Sequence, residues 1–117
     1  MTLESFREYC LALKGVSEEL PFDDKVLVFK VLGKVFALTD LELFDGVNLK
    51  CDPEKAIELR EKYASVTAGY HMNKKHWNTI AMNGEMPDTE LKQWIDHSYQ
   101  LVVSKLPKKQ QQLLTSL

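Results

Sequence analysis

Ten consecutive residues, Tyr70-His71-Met72-Asn73-Lys74-Lys75-His76-Trp77-Asn78-Thr79, hold most of the side chains here that could do chemistry. Two lysines, two histidines, two aromatics and two carboxamides are too many polar groups for a core. No acid lies within the segment to neutralise the lysines, and lysines are seldom buried unpaired, so Lys74 and Lys75 are expected at the surface. There they would meet phosphates. Tyr70 and Trp77 could stack on bases, Asn73 and Asn78 could bond base edges or sugar, and His71 and His76 could assist. A purely structural reading stands beside this one. In it Trp77 packs in the core, Asn73 caps a turn, Tyr70 bridges sheet and helix, and the lysines are merely solvated. If His76–Met82 is a strand, Trp77, Thr79 and Ala81 share one face, while His76, Asn78, Ile80 and Met82 share the other. The set then cannot all reach one ligand.

Other chemistries find little support. His71, His76, His97 and Cys51 match no zinc spacing, and there is no Cys-x-x-Cys pair. Cys51 precedes a helix start, where the macrodipole lowers a thiol pKa. Strand alternation nevertheless turns it inward with Val47 and Leu49, as an inert core thiol. Adjacent helical residues such as His97 and Ser98 point about 100° apart and make no catalytic pair. Ser98 instead lets its helix approach the sheet closely. The acidic loop Glu18, Glu19, Asp23 and Asp24 reads as a solvated loop rather than a cation site. No glycine-rich phosphate loop is present. The expectation is a non-enzymatic binder with no catalytic residues, no metal and no cofactor. The competing reading is an unrecognised enzyme or binder of a small anionic metabolite, with His71 or His76 as acid–base groups.

The elements that must position these residues fit one domain over 117 residues, with hydrophobic residues at 44% and charged residues at 27%. Net charge is −2, unevenly spread: residues 1–65 hold nine basic and thirteen acidic groups, residues 66–117 six and four. That field is too weak for strong non-specific DNA binding, and only Arg7 and Arg60 could make bidentate contacts. The N-terminus lacks the apolar stretch of a signal peptide, and no apolar run approaches a membrane span. A cytoplasmic location with no membrane partner is therefore expected, with Cys10 and Cys51 as reduced core residues.

Thr2 and the stripe Leu3, Phe6, Cys10, Leu13 predict a helix over 2–14, stopped by Gly15. The stretch 16–24 reads as a linker. Gly33-Lys34 predicts a type II′ hairpin pairing Val31 with Phe36 and Phe29 with Leu38, so that Leu27, Phe29, Val31, Phe36 and Leu38 share an apolar face. Val47, Leu49 and Cys51 alternate along a third strand. Asp52-Pro53 opens a second helix to about residue 64. Residues 66–70 and 76–82 read as two further strands. Pro87-Asp88 opens the longest helix, which Pro107 ends, and 107–117 is a frayed tail. The order α-β-β-β-α-β-β-α predicts an α+β two-layer sandwich with a five-stranded antiparallel sheet and helices on one face. Lys30 and Lys50, on wet positions, could extend a basic track from Lys74 and Lys75.

Four sequence words resemble the MmcQ/YjbR family of small bacterial proteins. They are Leu20-Pro21-Phe22, Asn48 to Pro53, Gly69 to Thr79, and Asp96-His97-Ser98-Tyr99 followed by Leu101-Val102. The resemblance covers roughly residues 3–109. It implies an α-β3-α-β2-α fold, compared with secretion-chaperone-like and frataxin-like sandwiches. It also implies a non-enzymatic role that for many members carries a DNA-binding label. DNA is accordingly the first expected partner. A protein partner on the open sheet face or the last helix is the second.

Overall fold

The computed structural model describes every residue except Tyr70 and His71. Thr2 caps the first helix, α1 (Leu3–Leu11), reciprocally: its hydroxyl accepts from the Ser5 amide and its own amide donates to the Ser5 hydroxyl. The strands that follow are β1 (Val16–Glu19), β2 (Val26–Val31), β3 (Lys34–Asp40) and β4 (Gly46–Lys50). Helix α2 (Pro53–Lys62) starts at the Asp52 cap, whose carboxylate accepts from the Lys55 amide. Strands β5 (Val66–Ala68) and β6 (Trp77–Ala81) and helices α3 (Asp88–Ser104) and α4 (Lys108–Ser116) complete the chain. The strands form one open antiparallel sheet in the order β1-β2-β3-β4-β6-β5.

The sheet has six strands where the sequence predicts five. The stretch read as a linker contains β1, an edge strand too polar to show apolar alternation. Its Ser17 lies opposite Lys30, its Glu18 pairs with Arg7 of α1, and its Glu19 meets Lys30 at 2.7 Å. Acidic side chains on an edge also discourage pairing with other chains. The tail read as frayed is α4: Pro107 ends α3, then serves as the extended residue before a new helix that buries Leu114.

The predicted hairpin register is also corrected. Val31 lies opposite Lys34, so the two turn residues are Leu32 and Gly33, with φ of 45° and 86°. Positive φ at both centres is a type I′ turn, not type II′. Phe29 then faces Ala37 and Lys30 faces Val35, leaving Phe36 as a bulged extra residue. The bulge sends both Phe36 and Ala37 into the core and moves Leu38 to the opposite face.

One buried cluster joins Phe6 and Cys10 of α1, Ala56 and Leu59 of α2, Leu91, Ile95 and Val102 of α3, and Leu114 of α4 to the strands. All four helices therefore cover one face of the sheet. The other face carries Val28, Leu38, Asn48, Trp77 and Thr79 at paired positions, and no helix among the described residues lies over it.

Candidate functional site

The bulge in β3 leaves a gap in the ladder, and α3 fills it. Pairing between β3 and β4 stops at Ala37 and Leu49, stranding the Phe36 carbonyl and the Lys50 amide. The fully buried Ser98 hydroxyl accepts from that amide at 2.9 Å and donates to that carbonyl at 2.5 Å. Its neighbours work alike. Asp96 accepts from the Tyr9 hydroxyl, His97 Nε2 accepts from the Asp52 amide, and the Tyr99 hydroxyl donates to the Lys14 carbonyl. The word Asp96-His97-Ser98-Tyr99 thus ties α3 to α1, to the start of α2 and to two strands. Its four side chains fasten α3 in place.

His97 carries a pH consequence. Burial lowers its pKa below the ordinary 6.5 and Lys55 adds to this, against an opposing pull from Asp52. Nε2 must be unprotonated to accept from Asp52. A lowered folded-state pKa means that the unfolded chain takes up the proton first as pH falls. The stability is therefore full above 6.5 and is lost as pH drops below it. Chemical denaturation from pH 7.5 to 5 should show wild type losing more stability than His97→Gln; parallel profiles would refute the assignment.

Both cysteines behave as core thiols. Burial raises the Cys10 pKa and, with Asp52 adding to it, pushes Cys51 up to about 11 against opposing pulls from Lys55 and Arg60.

The turn entering β6 is built around Asn73. Its side chain accepts from the Lys75 amide, and its carbonyl accepts from the amides of His76 and Trp77. Gly69 closes the loop by donating to the Trp77 carbonyl at 2.7 Å. A Cβ at Gly69 would lie 2.7 Å from Trp77 Cβ, so only glycine fits this closure. Lys74 and Lys75 are exposed and His76 is half-buried. Tyr70 and His71, expected as a stacking and a helper residue, lie outside the described residues.

Alternation along β6 divides the remaining candidates. Trp77 is buried, yet on the face away from the helices, opposite Lys50. Of the two expected roles, its burial favours packing, on the open face and apart from the main cluster beneath the helices. Asn78 faces the helices, 1% exposed, where its oxygen accepts from Arg60 at 2.7 Å and its nitrogen donates to the Ala56 carbonyl. No base edge is within its reach. Lys30 is paired with Glu19 and separated from β4 by β3, so it does not continue a track from Lys50. Lys50 is half-buried, and its pKa is lowered by burial and by Lys105.

That last interaction reveals how charge is organised. At one end of the sheet β2 and β4 finish and β3 and β6 begin. This end carries Lys34, Lys50, Lys74 and Lys75, and α3 delivers Lys105 to it. The opposite end, with the turns 40–46 and 82–88, carries Asp40, Glu42, Asp45, Glu85 and Asp88. A charge asymmetry that is faint in the linear chain becomes a basic end and an acidic end of the fold. Sequence reading missed Lys34 and Lys105, because only the topology brings them to β6.

A model of the YjbR family matches residues 11–101. The chain belongs to the YjbR family. It is 35% identical over 118 residues to the uncharacterised protein YjbR of Escherichia coli K12, with all of both chains covered. It is 38% identical to the uncharacterised protein YbdF of Escherichia coli O157:H7, over 92% of this chain and 89% of that one. The crystal structure of Deinococcus radiodurans protein DR2400, a DUF419 domain, superposes with a TM-score of 0.90 at 40% identity, covering 97% of this chain and 88% of that one. A Pseudomonas syringae protein structure gives 0.72 at 27% identity, over 86% and 98%. Three of the four words that resembled the family carry bonds just described: Lys50 and Asp52 in the second, Gly69 and Asn73 in the third, and Asp96 to Tyr99 in the fourth. No helix among the described residues is long and apolar enough to cross a membrane.

Proposed function

We propose that this YjbR-family chain is a non-enzymatic binder of DNA that grips the phosphate backbone with the basic end of its sheet. The observation supporting this is the gathering of Lys34, Lys50, Lys74, Lys75 and Lys105 at that end, where five lysines outweigh the α2 cap Asp52. Lysines are point charges without the fork of arginine, so contact should be sequence-tolerant rather than base-specific. Trp77, buried on the same open face opposite Lys50, is an aromatic among the described residues near these lysines, so stacking on a splayed base requires its ring to be uncovered.

The test is a fluorescence-anisotropy titration with duplex and single-stranded DNA across a salt series. About four phosphate contacts predict a slope of log K against log salt near −3.5 for duplex. Lys74→Ala/Lys75→Ala should flatten that slope by about 1.8 and weaken binding roughly tenfold at about 50 mM salt, with thermal stability unchanged. Binding that ignores salt, or none at about 50 mM salt, would overturn the reading.

A second reading, a protein-interaction module, is supported by Leu113 on α4 and Leu117 at its C-terminal cap, which are 52% and 61% exposed. A stoichiometric protein partner recovered free of nucleic acid, and lost in Leu113→Ser, would favour it over DNA.

A further inference from the structure

We propose that the acidic end of the open sheet face is a binding site for a small amphipathic amine, independent of any contact at the basic end. Two adjoining depressions compose it. The larger, about 530 Å³, is walled by Phe22, Val26, Leu38 and Met72. The smaller, about 340 Å³, sets the polar groups of Ser65, Thr67, Asn83 and Glu85 around a floor that includes Ala64 and Ala81. Asp45, Gly46 and Thr79 belong to both. Together they fall within the usual range for small-molecule sites, which pair an apolar body with a few placed polar groups. A Cβ at Gly46 would approach Thr79 Cγ2 at 3.3 Å, so glycine keeps the strip between the two halves bare.

Charge decides which ligand fits. Asp45 and Glu85 make no ion pair among the described residues, whereas Asp40 spends its carboxylate on the amides of Glu42 and Leu43. An anion here would face two carboxylates. Ser65 adds an independent sign. The residue is 6% exposed, and its shielded hydroxyl has no hydrogen-bond partner among the described residues. Buried polar groups left unpaired are rare and destabilising, so an orphan lining a depression points to a missing partner. A ligand ammonium has three N–H donors, enough for Asp45, Glu85 and the Ser65 oxygen once that hydroxyl rotates into the depression. Its apolar body would cover Leu38 and Val26 beneath Phe22, which is 78% exposed. A neutral apolar molecule would leave Ser65 unpaired.

The experiment uses the full chain and n-hexylammonium as probe, with hexanoate and hexanol as controls, followed by amide chemical shifts at low salt. Hexylammonium should move the amides of Leu38, Gly46, Ser65, Thr67 and Thr79 saturably, with Kd in about the millimolar range for so few atoms. Hexanoate should not. Asp45→Asn should weaken binding about fivefold. Ser65→Ala should also weaken it while leaving stability equal or higher, because the hydroxyl it removes was already unpaired. Equal binding of hexanol would reduce the site to bare apolar surface and overturn the proposal. So would equal binding of hexanoate, or unchanged affinity in both variants.

Discussion

Ser98→Ala should destabilise the fold by about 3 kcal/mol, since each of two buried backbone groups left unsatisfied costs about 1–3 kcal/mol. For a chain of this size that corresponds to a Tm lowered by roughly 12 °C. The Lys50 amide and the Phe36 carbonyl are stranded by the bulge and have no strand neighbour to turn to. Water is kept out because Ser98 and Phe36 are both fully buried. Ser104→Ala is the internal control. Its hydroxyl donates to the Leu101 carbonyl at an exposed position, so its loss should change stability by less than about 0.5 kcal/mol. Calorimetry on the pair decides the matter: a Ser98→Ala effect as small as the control's would mean that the bulge relaxes to satisfy itself.

The same serine shows how much of the fold the sequence discloses. Strand alternation, the Asp52-Pro53 start and the α3 stripe specify most elements, because each depends on neighbours within a few residues. What stayed hidden depends on distant pairings. A bulge in β3 has no signature in Lys34-Val-Phe-Ala-Leu; it arises because Phe36 gains a T-shaped contact with Tyr99, centroids 5.6 Å apart, on a helix over 60 residues away. Edge strand β1 is stabilised by Arg7 and Lys30, so its own residues need not alternate in hydropathy. In α4 only Leu114 is buried, too little to make a stripe in sequence.

The candidate site divides in the same way. Lys74 and Lys75 were legible as surface groups, because a double lysine without acids has nowhere else to go. Alternation also foretold that Trp77 and Asn78 would part company. The partners they part toward were not legible. Lys34 and Lys105 reach the basic end, and Asp45, Ser65 and Glu85 reach the acidic one, through strand order alone.

Asn78 gives the sharpest separation between a residue that shapes the site and one that touches a ligand. Asn78→Ala should lower stability by about 2–3 kcal/mol, from a lost charge-assisted hydrogen bond and a small cavity at a position 1% exposed. DNA affinity measured below the new melting range should be unchanged. Arg60 is half-exposed, so its guanidinium can recover water when its acceptor is removed, which keeps the effect below that of stranding a fully buried charge. A double-mutant cycle isolates the bond. Arg60→Ala with Asn78→Ala should destabilise by about 1–2 kcal/mol less than the sum of the single changes, because the second change removes a bond already broken. Additive effects would show that α2 and β6 are held by packing alone. Lost DNA affinity at full stability would return Asn78 to the binding surface and require β6 to present its other face.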